Sequence, residues 1–248
     1  MPDVVGYRSK MGVIIPSTNT VVEHDYSLMR PPGVTFHFGR MYIAQPNAAD
    51  NEAFEELIAQ IRVTTEIAVR DVMTAKPDHL VMGMSAETFW GGKEGNEAFA
   101  ARVGQLSGGL SVTTGAAACG EATRSLGITK IAVITPYQPV ADEQARNYFT
   151  EIGLDVVRVV GLKCSSATAI AEVEEAQIRR TLKEIDGSDI EGIVQVGTNL
   201  SMLRLADEAE RWLNKPVLAI NAVTVWHALR SCGFTDRMQG FGTLLREY

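Results

Sequence analysis

The chain repeats itself, and this repeat restricts the fold more than any other feature of its 248 residues. KMGVIIPSTNTVVEHD (10–25) resembles KIAVITPYQPVADEQ (130–144), which sets Pro16 opposite Pro136, 120 residues later. HLVMGMSAE (79–87) pairs with IVQVGTNLS (193–201) at a shift of 114, with Gly83 opposite Gly197. SVTTGAAACGEATRSLG (111–127) pairs with PVLAINAVTVWHALRSCG (216–233) at a shift of 106. Three matches in the same order argue for duplicated halves. The shrinking shift gives the second half the shorter connections. The halves are expected at 1–110, completed by the C-terminal segment 221–248, and at 111–220.

Short apolar runs predict strands at 11–15, 34–43, 79–82, 111–114, 130–135, 155–160, 192–196 and 217–220. Most are near-continuous Val, Ile, Leu and Met, the pattern of parallel strands covered on both faces. Between them, helical spacing predicts helices at 51–74, 116–126, 141–152, 167–185, 203–213 and 224–230. Regular alternation of strand and helix points to doubly wound α/β sheets.

Charge narrows the choice of partner. The net charge is −7 and no Lys/Arg run exceeds two residues, so nucleic acid and anionic membrane surfaces are not expected partners. No stretch approaches the roughly 20 apolar residues that span a bilayer. MPDVVGYRSK, at the N-terminus, has no apolar signal region. Three cysteines, Cys119, Cys164 and Cys232, are odd in number and widely spaced. They support neither a disulfide framework nor a metal site. Four scattered histidines offer no close ligand pair, and no GxGxxG or P-loop pattern suggests a nucleotide. The expectation is a cytoplasmic protein with no metal and no cofactor, whose partner is a small molecule. Phe36, Phe38 and Tyr42 are free to pack within the fold or against a second copy.

In parallel sheets ligands bind beyond the carboxyl ends of the strands. The residues there are Pro16, Ser17, Thr18, Asn19 and Thr20; Gly83, Met84, Ser85, Ala86 and Glu87; Thr114 and Gly115; Pro136, Tyr137 and Gln138; Gly197, Thr198 and Asn199; Asn221 and Ala222. A turn from strand to helix presents unpaired N–H groups and a positive dipole end, suited to a carboxylate or an enolate oxygen. The plain alternative is that these Ser, Thr and Asn residues are helix caps. Such loops converging from two halves favour the anion site.

These loops also carry a family resemblance. PSTNT followed by Glu23 resembles the N-terminal signature of maleate cis–trans isomerases of the Asp/Glu racemase superfamily. LVMGMSAETFWGG and IVQVGTNLSMLRLADEAERWLNKPVLAINAVTVWHALR resemble the two active-site strands of arylmalonate decarboxylases, and VITPYQPVADE resembles their tyrosine-bearing strand. The resemblance spans nearly the whole chain. It implies two pseudo-symmetric flavodoxin-like domains with parallel sheets and an active-site cleft between them. It further implies a small carboxylic acid processed through an enolate or a related adduct. Racemases use one cysteine from each half, and decarboxylases keep the one in the second half. Here the matching positions are Gly83 and Gly197, with Met84 and Thr198 beside them, so both cysteines are absent.

By the same resemblance Tyr137 helps hold an oxyanion, with Ser85, Met84 and Thr198 supplying backbone or hydroxyl donors. Ser17, Asn19 and Asn199 are candidates for gripping a substrate carboxylate, and Cys164 lies in a loop near the site. Glu87, four residues past Gly83, has two readings. Shielded by Phe89 and Trp90 it would be a general base; solvated, it would pair with Lys93. The leading expectation is a cofactor-independent, thiol-free decarboxylase or isomerase acting on a small mono- or dicarboxylate. Its rivals are a hydrolase or hydratase using water activated by Glu87, and a family member that binds a carboxylate without turnover.

Overall fold

The computed structural model describes residues 3–248. Among them, eight strands form two parallel four-stranded sheets. The first contains β1 (Ser9–Pro16), β2 (Val34–Met41), β3 (His79–Met82) and β4 (Val112–Thr113), in the order β2-β1-β3-β4. The second contains β5 (Lys130–Thr135), β6 (Asp155–Gly161), β7 (Gly192–Gln195) and β8 (Val217–Ala219), in the order β6-β5-β7-β8. The matching order is the sequence repeat expressed in space. All four residues of β3 and of β7 are buried, as expected where helices cover both faces of a sheet.

The helices are α1 (Val22–Leu28), α2 (Asn51–Met73), α3 (Ala86–Phe89), α4 (Gly92–Leu106), α5 (Gly115–Ser125), α6 (Pro139–Glu151), α7 (Glu175–Ile185), α8 (Leu203–Leu213), α9 (Ile220–Ser231) and α10 (Thr243–Glu247). In α2 the buried positions Phe54, Leu57, Ile58 and Ile61 recur at helical spacing, which gives this helix one apolar face. Its start is set by Asp50, whose side chain accepts from Ala53 N at 2.9 Å. The helix that follows the last strand of each sheet leans on the other half. In α9, His227 Nδ1 lies 3.0 Å from Thr113 Oγ1 of the first sheet. In α5, Gly120 faces Ile152 and Tyr148 of the second half.

Some boundaries differ from those expected. Val112 and Thr113 pair with Leu80 and Val81, so the first sheet extends past the 110/111 division read from sequence. The helix expected at 167–185 is two pieces, a 3-10 turn at Ala169–Glu172 and then α7, because Val173 is extended. The helix α4 was not anticipated, since its start in GGKEG reads as a loop; Gly91 and Gly92 both take positive φ there. Phe36 and Phe38 pack against the Tyr26 ring within the fold, whereas Tyr42 is 69% exposed.

Candidate active site

A cavity of ≈ 60 Å³ lies where the strand ends of the two sheets meet, several times the ~10–15 Å³ that one water requires. Its lining includes apolar residues: Phe54, Leu57, Ile58 and Ile61 of α2, with Met84, Ala86, Ala167 and Ile170. The rest of the lining is Asn19, Ser85, Tyr137, Thr198 and Asn199, which are polar, with Pro16, Thr18 and Gly197. Among the described residues no charged side chain and no cysteine lines it.

Ser85 is central to the polar lining. Its Oγ accepts from Gly197 N at 3.0 Å and from Thr198 N at 3.2 Å, and lies 2.6 Å from Tyr137 OH. A hydroxyl has two lone pairs and one proton. The two amides occupy the lone pairs, so Ser85 donates its proton to the Tyr137 oxygen. The Tyr137 proton is thereby left free for a bound molecule. Burial pushes the Tyr137 phenol well above its ordinary value, outweighing the Ser85 hydrogen bond, so it stays protonated and remains a donor. Ser85 makes no cap to its own helix, whereas Thr114 caps α5 at Ala117 N and the Asn19 side chain caps Val21 N and Val22 N. The cap reading therefore holds for some loop residues and fails for Ser85.

Thr198 and Asn199 sew the halves together. Thr198 Oγ1 accepts from Asn19 Nδ2 at 3.2 Å and donates to Gly83 O at 3.1 Å. Its only proton is used there, so of the backbone or hydroxyl donors expected from sequence the Thr198 hydroxyl is not free to serve. The Asn199 side chain accepts from Thr20 N at 3.0 Å and donates to Ala167 O at 2.9 Å. It clamps loops, which leaves its backbone N–H as the part able to meet an anion.

Four expected site residues lie outside the cavity lining. Ser17 Oγ accepts from Ile43 N at 3.0 Å and braces a turn. Gly83 is closely packed, and an added Cβ there would come within 2.6 Å of Ile15. Cys164 is half-buried, and its carbonyl accepts from Gln138 Nε2 at 3.3 Å. Glu87, in α3 and not in a loop, is buried; its Oε1 accepts from Arg62 Nε at 2.7 Å, while Lys93 pairs with Glu97. Burial raises the Glu87 carboxyl and Arg62 opposes this, but the residue does not line the cavity.

Gln195, at the end of β7, was missed. Its Nε2 donates to both Val196 O and Gly197 O at 2.8 Å, and its Oε1 accepts from Ile220 N at 3.2 Å. The signal was one polar residue inside the apolar run GIVQV, which a buried strand keeps only when its hydrogen bonds are met.

A profile of the arylmalonate decarboxylase family matches residues 11–245. The maleate isomerase of Nocardia farcinica is 26% identical, over 96% of both chains. That of Geobacillus stearothermophilus is 24% identical, over 95% of this chain and 96% of the relative. A solved cysteine-to-serine variant of the Nocardia farcinica maleate cis–trans isomerase, carrying a covalently bound succinylcysteine intermediate, superposes with a TM-score of 0.87. It is 23% identical and covers 96% of this chain and 98% of its own. A solved arylmalonate decarboxylase gives a TM-score of 0.74 at 22% identity, over 95% of this chain and 98% of its own. With a profile match over almost its entire length and the two-sheet fold these structures share, the chain belongs to the arylmalonate decarboxylase family.

Proposed function

We propose that this chain is a thiol-free decarboxylase acting on a small malonate-type acid with an apolar substituent, through an enolate held between the two halves. The observation that carries the reading is one cavity lined both by polar groups of the strand-end loops and by the apolar face of α2, with no cysteine or charged side chain lining it among the described residues. The family match and the relatives named maleate isomerase support the broader class, an isomerase or lyase.

In this reaction one carboxylate lies toward Leu57, Ile58 and Ile61, and the other toward Tyr137 and the loop amides. A carboxylate against apolar side chains loses hydration it keeps in water. Cleavage of its C–C bond releases CO2 and leaves the electron pair on the remaining carboxylate as an enolate. Donors fixed in advance, the Tyr137 hydroxyl and the Asn199 N–H, meet the developing oxygen charge. Water then protonates the α-carbon. The succinylcysteine of the Nocardia relative needs a thiol as the bonding atom, and this cavity lining offers none. The cysteine that decarboxylases keep is absent as well, but the proton that completes decarboxylation can come from water, which favours decarboxylation over isomerisation through an adduct. Glu87, held by Arg62 outside the cavity, gives a hydrolytic route no base.

The test is proton NMR in D2O with substituted malonates, maleate and fumarate. Loss of CO2 with one deuterium gained at the α-carbon is the expected result. Cis–trans conversion of maleate alone, or line broadening by a bound acid without turnover, would overturn it.

A further inference from the structure

Three consecutive carbonyls of the loop after β7 are tied back into the protein. Val196 O and Gly197 O accept from Gln195 Nε2, and Thr198 O accepts from Asn221 Nδ2 at 3.0 Å. In a trans peptide the N–H points opposite to the C=O of the same unit. Fixing these carbonyls behind the loop turns the N–H groups of Gly197, Thr198 and Asn199 forward. The first two meet Ser85 Oγ. Among the described residues the third has no hydrogen-bond partner. Asn221 is itself held from behind: the same Nδ2 donates to Asp25 Oδ2 at 2.7 Å, and both residues are 2% exposed.

We propose that Asp25 is a positioning residue for the oxyanion site, acting through Asn221 to orient the Thr198–Asn199 peptide so that the Asn199 N–H faces the reacting oxygen. The proposal rests on the functional reading above for its purpose, but its geometry can be tested without turnover.

A charged Asp25 grips the Asn221 amide more strongly than a neutral one. Burial pushes this carboxyl up to about 6, while Asn221, His24 and Arg204 pull it down. Its own helix also carries Glu23, paired with Arg40 of β2; α8 brings Arg204, and α9 brings the Asn221 amide. The grip is strongest above about pH 6 and loosens as Asp25 takes up a proton.

The experiment follows the backbone amide shifts of Gly197, Thr198 and Asn199 by 15N NMR from pH 4.5 to 8. The wild-type chain and the Asp25→Asn and Asn221→Ala variants are compared, each with and without phenylacetate as a carboxylate probe. The expected result is an Asn199 shift that titrates with a midpoint near 6 in the wild type and is flat in both variants, with weaker phenylacetate binding in the variants. An Asn199 shift that is flat in the wild type overturns the proposal. So does one that titrates equally in Asp25→Asn, since Asp25 would then not be its source. Asn199 titration confined to the wild type supports the proposal even where phenylacetate does not bind; that failure would strike the substrate reading instead.

Discussion

Ser85 Oγ and Tyr137 OH, one from each half of the molecule, lie 2.6 Å apart with the proton directed from serine to tyrosine. That direction follows from the two amides already bound to Ser85, and it leaves the Tyr137 proton as a donor facing the cavity. Replacing Tyr137 with Phe removes that donor and strands the Ser85 proton. Loss of one preorganised donor to an oxyanion lowers turnover by about 10²–10³-fold. The rate of α-deuteration in D2O should fall by that amount while KM changes far less, because the contact strengthens only as charge develops.

The positions where the family resemblance puts cysteines are built for glycine. Gly197 has φ +100°, and a Cβ there would collide with the Pro136 ring. Both Gly197→Ala and Gly197→Cys should therefore destabilise the chain by about 1–3 kcal/mol, read as a lower urea midpoint. The Cys variant should gain no thiol-dependent activity. Full stability in either variant would show that the backbone there is not constrained.

Away from the site, His79 Nε2 and His227 Nδ1 share the Thr113 hydroxyl, at 2.8 Å and 3.0 Å. Burial, and then the neighbouring His227, push His79 down to about 4 from 6.5. The unfolded chain therefore binds the additional proton as pH falls through this window. The stability is present above pH 6.5 and is lost progressively toward pH 4, by about 3 kcal/mol for this group. His79→Gln should flatten the stability–pH curve between pH 6.5 and 4, measured by urea unfolding at several pH values.

The fold was legible because duplication and apolar strand runs are local signals that survive in one sequence. Pro16 against Pro136 and Gly83 against Gly197 found both sheets and the cleft between them. Ser85, Tyr137, Met84, Asn19 and Gly197 were read from their places after strand ends, and all line the cavity. What sequence could not give was the direction of side chains. Glu87 stands two residues from Ser85 yet is held by Arg62 of α2, a pairing 25 residues distant in the chain. The proton of Thr198 goes to Gly83 O in the other half, and the amide of Asn221 reaches Asp25 across 196 residues. Such contacts depend on tertiary geometry that no spacing encodes.

The central claim is that the chemistry runs without a thiol. All three cysteines are free, Cys119 is buried in α5, and none lines the cavity. Burial raises the Cys119, Cys164 and Cys232 thiols, which makes each a poorer nucleophile near neutral pH. The decisive measurement is the rate of CO2 loss with α-deuteration by a cysteine-free chain, Cys119→Ala, Cys164→Ser and Cys232→Ser, beside the parent. The two rates should agree within a few-fold; a collapse to background in a variant that remains folded would contradict thiol-free chemistry.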